Sequence, residues 1–138
     1  MLLTVGITAS AQEALDSRHT IVSPEIHDDN RVTFRLKTPD HIASVRAGSD
    51  CFSSGGADLK KNAEGIWEYT TPEPLPSELY SYFYVVDGMM MLDPSNVYIV
   101  RDVSTTMNIF IIGGGIGDLY KVNAVPHGTV SRVWYDSP

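Results

Sequence analysis

The stretch Leu79-Tyr80-Ser81-Tyr82-Phe83-Tyr84-Val85-Val86-Asp87-Gly88 constrains the fold more than any other. Aromatic and β-branched side chains suit a pleated surface. The closing Asp-Gly pair favours the positive φ angles of a tight hairpin. Met89 to Leu92 reads as the return strand, ended by Asp93-Pro94. Side chains alternate between the two faces of a strand, so Tyr80, Tyr82, Tyr84 and Val86 share one face. Leu79, Ser81, Phe83 and Val85 share the other. Neither face is strongly polar, and each is expected to meet something. A two-stranded hairpin is not stable alone in water, so the rest of the chain must supply the covering sheet.

The remaining patterns supply it. Arg31 to Lys37 alternates, which sends Val32, Phe34 and Leu36 to a core and the charged residues and Thr33 to water. Ile42 to Ala47 reads as a less regular strand, and Gly48 to Ala57 as a loop. Leu59 to Asn62 reads as a short edge strand and Ile66 to Thr71 as a further strand. Pro72, Pro74 and Pro76 then interrupt regular structure. Asn96 to Val103 suits a short strand or a covering loop, and Thr106 to Ile112 is a clear strand. Gly128 to Tyr135 alternates again and suits a last strand or part of a following domain. No amphipathic helix stands out. An all-β, immunoglobulin-like sandwich of about seven to eight strands is expected.

Charge and single residues remove several functions. The chain has 138 residues and a net charge of −7, with only ten Lys and Arg. That argues against nucleic acid, whose phosphates need clustered cations. Cys51 is the sole cysteine, which excludes an internal disulfide and a Cys-based zinc site. Gly113-Gly114-Gly115-Ile116-Gly117 lacks the spacing and the Lys-Ser/Thr pair of a phosphate loop, and reads as a connector. His27-Asp28-Asp29-Asn30 reads as a solvated turn rather than a metal cluster. The histidines His19, His27, His41 and His127 stand near no Gly-x-Ser-x-Gly elbow. No catalytic residue, metal or cofactor is implied.

The N-terminus has two readings. Leu2 to Thr8 is apolar and Ala9-Ser10-Ala11 follows, as in the back half of a secretory signal cut before Gln12. That would place the protein outside the bacterial cytoplasm, secreted or periplasmic. The other reading is a hydrophobic N-terminal strand or helix. The run is too short to span a bilayer.

In order and spacing, Val32-Thr33-Phe34-Arg35-Leu36 with Pro39, Gly65-Ile66-Trp67-Glu68, Leu79 to Gly88 and Asp93-Pro94-Ser95-Asn96 resemble the motifs of the family 48 carbohydrate-binding modules. These are early-set immunoglobulin-like domains at the N-termini of glycogen-branching and debranching enzymes and of bacterial family 1 carbohydrate esterases, such as feruloyl esterases. Val125-Pro126-His127-Gly128 and Val133-Trp134-Tyr135-Asp136 resemble the junction before the α/β-hydrolase domain of those esterases. The resemblance implies a signal remnant at 1–11, a lead-in at 12–30, a carbohydrate-binding-like sandwich at 31–112 and a connector at 113–138. It implies an accessory module that supports or docks on that hydrolase domain, or that binds polysaccharide weakly. Glycogen-binding members carry a Trp near Phe52, a Lys where Phe83 stands and an aromatic where Met90 stands. These differences point to xylan rather than glycogen. Phe83, Met90, Asn108 and Phe52 are the candidate binding or docking residues, and Trp67 is expected in the core.

Overall fold

A computed structural model describes residues 21–136. The described residues form ten strands: β1 (Glu25–Ile26), β2 (Val32–Lys37), β3 (Val45–Ser49), β4 (Gly56–Asp58), β5 (Lys60–Lys61), β6 (Ile66–Thr70), β7 (Leu79–Val86), β8 (Met89–Met91), β9 (Ile99–Arg101) and β10 (Thr106–Ile111). They build two antiparallel sheets, and the fold is an immunoglobulin-like β-sandwich. One sheet runs β1-β2-β6-β5. The other runs β4-β3-β7-β10-β9, with β8 also on β7.

β7 is the longest strand and the middle of the larger sheet. One of its edges pairs β3, from Val45↔Val86 to Ser49↔Tyr82. The other edge is shared: β10 takes Leu79 to Tyr82 and β8 takes Tyr84 to Val86. The hairpin turns at Asp87 and Gly88, both at positive φ, as an Asp-Gly turn requires. The Asp87 carboxylate accepts the backbone N–H groups of Ala43 and Ser44, so the turn also fixes the entry to β3.

Alternation along β7 places Tyr82, Tyr84 and Val86 inside. They meet Val32, Phe34 and Leu36 of β2 across the sandwich, with Phe110 and Ile112 completing the core. Phe34 stands edge-on to Tyr82 and Phe110. Trp67 is buried, and its indole N–H donates to the Thr38 hydroxyl.

The structure differs from the sequence expectations in four places. The Gly48–Ala57 stretch holds β4, which pairs β3 through Gly48↔Gly56 and Ala47↔Ala57; small residues hid it. Thr33 faces outward yet is only 3% exposed, because His27 and Thr70 bond its hydroxyl. β1 lies inside the expected lead-in and pairs β2, so the smaller sheet begins before Arg31. The Gly128–Tyr135 stretch forms no strand and is exposed. The expected signal remnant at 1–11 lies outside the described residues.

Candidate functional site

Leu79, Ser81, Phe83 and Val85 of β7 point away from the core. Phe83 pairs Gly48 of β3, and Val85 lies between Arg46 of β3 and Met90 of β8. Further along, Ile109 of β10 pairs Ser81, and Ile111 pairs Leu79. Met107 shares this outward parity and pairs Val100 of β9. The outer face of the larger sheet is therefore a band of Leu79, Phe83, Val85, Met90, Met107 and Ile109. It is interrupted at Ser81, whose backbone N–H and hydroxyl donate to the exposed Asp50 carboxylate, and is polar at the β3–β4 edge, where Arg46 and Asp58 pair at 3.0 Å.

Phe83 organises this band. A Cβ on Gly48 would lie 2.5 Å from the Phe83 Cζ, so the ring rests directly on the β3 backbone. Only glycine permits that approach. Phe83 is half-buried and Met90 is 48% exposed. The two flank Val85, so the structure brings these candidates together.

The other two candidates stand elsewhere. Asn108 pairs Tyr82 on the inner side of β10 and is 0% exposed. Its Oδ1 accepts the Asp93 backbone N–H at 2.7 Å, and its Nδ2 donates to the Asn96 carbonyl at 2.9 Å. It is a core tether, not a surface contact. Its shared parity with Phe110 was the available signal. Phe52 packs beside Phe34 and Tyr69 at the margin of the core, lining a cavity of about 210 Å³ with Cys51, Pro72 and Leu75. Burial pushes the neighbouring Cys51 thiol up to about 11, which leaves it unreactive.

Sequence reasoning read Asp93 as a strand terminator and missed its main role. Asp93 is 2% exposed. Its Oδ2 accepts from Ser23 Oγ at 2.6 Å and Tyr82 Oη at 2.9 Å, with Tyr84 Oη at 3.3 Å. Its Oδ1 accepts the Ser95 N–H at 2.8 Å. Burial raises its pKa against these donors, and burial also raises those of Tyr82 and Tyr84. The cluster fastens the lead-in and the Asp93–Asn96 loop to β7. Among the described residues no imidazole stands between Ser23 and Asp93; His27, close by in sequence, bonds Thr33 instead. Among the described residues, no group of three or more His, Cys, Asp or Glu could hold a metal ion, and no helix is long and apolar enough to cross a membrane.

No family model matches the chain. Over 71 residues, 51% of its length, it is 30% identical to the endo-1,4-beta-xylanase/feruloyl esterase of Xylanibacter ruminicola. It spans only 10% of that protein. Among solved structures it is similar to the pullulanase of Anoxybacillus sp. LM18-11 complexed with maltotetraose, at 18% identity and a TM-score of 0.45. That similarity covers 89% of this chain and 18% of the pullulanase. The maltotriose complex of the same pullulanase gives the same identity and TM-score and covers 17% of the enzyme chain.

Proposed function

We propose that this chain is a non-catalytic accessory module of a secreted carbohydrate esterase acting on plant polysaccharide. It docks through the outer face of its larger sheet onto an α/β-hydrolase domain of the same polypeptide. The observation that carries this reading is the apolar band of Phe83, Val85, Met90, Met107 and Ile109 beside the Ser81–Asp50 contact. Contiguous exposed apolar surface of this kind marks interaction sites. The identity to a protein named as both xylanase and feruloyl esterase supports the class of parent enzyme. Cleavage of feruloyl or acetyl esters on xylan would belong to the docked domain.

A second reading, weak polysaccharide binding, is favoured by the partly exposed Phe83 ring, since aromatic faces suit apolar ligand surfaces. One experiment separates the two. The parent enzyme and its Phe83→Asp variant are followed by calorimetry, and the isolated module by affinity electrophoresis in arabinoxylan and in glycogen. Docking expects module and hydrolase to unfold together, the variant to split the transition, and neither gel to retard the module. Retardation by arabinoxylan that Phe83→Ala abolishes would replace docking with binding. An unsplit transition in the variant, with no retardation, would overturn both.

A further inference from the structure

A second apolar feature lies on the open side of the sandwich, where β1 ends one sheet and β9 the other. It is a groove of about 570 Å³, lined by Val22 and Ile26 of the lead-in, Val97 and Tyr98 before β9, and Ile109 and Ile111 of β10. The core residue Phe110 also reaches it.

The lining restricts what can enter. None of its residues carries a charge, so an ionised ligand would give up its hydration for no partner. The net charge of −7 further disfavours an anion. Two polar side chains of the lining are already engaged. Ser23 Oγ donates to Asp93 at 2.6 Å. Asn96 Nδ2 donates to the Tyr82 hydroxyl and to the Ile109 carbonyl, and its Oδ1 accepts the Tyr98 N–H. An unsubstituted sugar would bury hydroxyls against Val22, Ile26, Val97 and Ile109 without partners, which costs free energy.

One polar contact stays open beside these apolar walls. β10 pairs Phe110 with Tyr80 of β7, and the Ile112 N–H donates to the Glu78 carbonyl. Backbone groups in an antiparallel ladder alternate between the two edges, so Ile109 and Ile111 turn theirs away from β7. The Ile109 N–H donates to the Tyr98 carbonyl there. The β9 pairing covers only Thr106 to Asn108, and among the described residues no strand pairs Ile111 on that side. A mostly apolar groove with a few placed polar groups, within about 300–1,000 Å³, has the form of a small-molecule site.

We infer that this groove takes a neutral aryl ester, in the form of a feruloyl group carried on plant polysaccharide. The flat ring fills apolar space beside Tyr98 and Phe110. The ester carbonyl accepts the Ile111 N–H. The sugar that bears the ester stays outside, where water satisfies its hydroxyls. The inference rests on the proposed parent, an esterase acting on plant polysaccharide, and gives its accessory module a ligand of its own.

The test titrates the full 138-residue chain with methyl ferulate and follows backbone amide shifts by NMR. Saturable shifts are expected at Tyr98 and Ile111. The ferulate anion and xylobiose should each bind at least tenfold more weakly. Val97→Asp puts a charge on the lining at a position that is 82% exposed, and should weaken methyl ferulate at least tenfold. Val103→Asp, exposed and outside the groove, should leave binding unchanged. Core amides such as Phe34 should keep their positions in both variants, which shows that the sandwich is intact. No saturable shift, shifts centred on Phe83 and Met90, equal binding of xylobiose, or no response to Val97→Asp would overturn the inference. Shifts at Tyr98 and Ile111 that follow protein concentration without methyl ferulate would place a second copy in the groove and overturn it as well. A parent that cleaves no ester on arabinoxylan would overturn the proposed function and leave the methyl ferulate result standing. A groove that binds no ester in a chain whose parent is active would overturn this inference alone.

Discussion

The two outward faces of the sandwich are built by the same alternation and end differently. On the smaller sheet the outward residues are polar and close on each other. Arg35 pairs Glu25 at 2.6 Å and reaches Glu68 at 3.7 Å. Thr33 and Thr70 share a hydrogen bond at 2.8 Å, and His27 adds another to Thr33 at 2.7 Å. On the larger sheet most outward residues are apolar, namely Phe83, Val85, Met90, Met107 and Ile109, and these cannot satisfy one another by hydrogen bonding; Ser81 and Arg46, held by Asp50 and Asp58, are the polar exceptions. The first face is complete in water. The second loses apolar exposure only when something covers it, and for that reason it is the candidate site.

Substitutions can break or sharpen this contrast. The largest effect is expected where both faces share support. Tyr82→Ala opens the core between the sheets and should cost about 3–5 kcal/mol in urea unfolding. Gly48→Val is next. It drives a side chain into the Phe83 ring and should cost about 1–3 kcal/mol, whereas a change of similar size at the exposed Glu64 should cost almost nothing. Phe83→Ala removes half-buried apolar surface, and about 1 kcal/mol is expected in the isolated chain. The same substitution in a docked parent should cost more, and the difference measures the covering partner. Glu68→Gln on the polar face is smallest, below about 1 kcal/mol and diminishing with added salt. A large, salt-insensitive loss there would show that the polar face is not self-contained.

Titration sharpens the contrast further. The Arg35 hydrogen bond and charge lower the Glu25 pKa below its ordinary 4.5. The unfolded state then binds the proton more readily than the folded state. This contribution is present above 4.5 and is lost as pH falls through the lowered folded value. Urea midpoints of the unaltered chain and Glu25→Gln should therefore converge between pH 6 and pH 3. Asp93 runs the other way. Burial raises its pKa above 3.8, so its charged form opposes folding. The unaltered chain should gain on Asp93→Asn as pH falls through that raised value toward 3.8. The cost of Phe83→Ala, which involves no titrating group, should stay flat across the whole range.

Much of this architecture was legible from local pattern. The β7–β8 hairpin, the inward set of β2 and the parity that turns Phe83 outward all follow from period-two alternation and one Asp-Gly pair. β4 was not legible, because Gly56 and Ala57 carry no strand propensity and pair only since β3 is already beside them. Asn108 illustrates the limit at the site. Its parity marked it as inward, but a polar residue is placed inside only if partners exist, and Asp93 and Asn96 lie 15 and 12 residues away in the chain. Phe52 was misleading for the same reason: a loop position says nothing about which aromatic neighbours a ring will find.

The sequence by itself determined the fold class, the central strand and which side chains of that strand face together, because these depend on the backbone repeat and on local turn chemistry. Tertiary structure decided which outward face is closed and which is open, the burial of Asp93 among two tyrosines and a serine, and the seating of Phe83 on Gly48. Each of these depends on groups far apart in the chain meeting at a few ångströms, and the free energy of a polar or apolar group is set by what it meets.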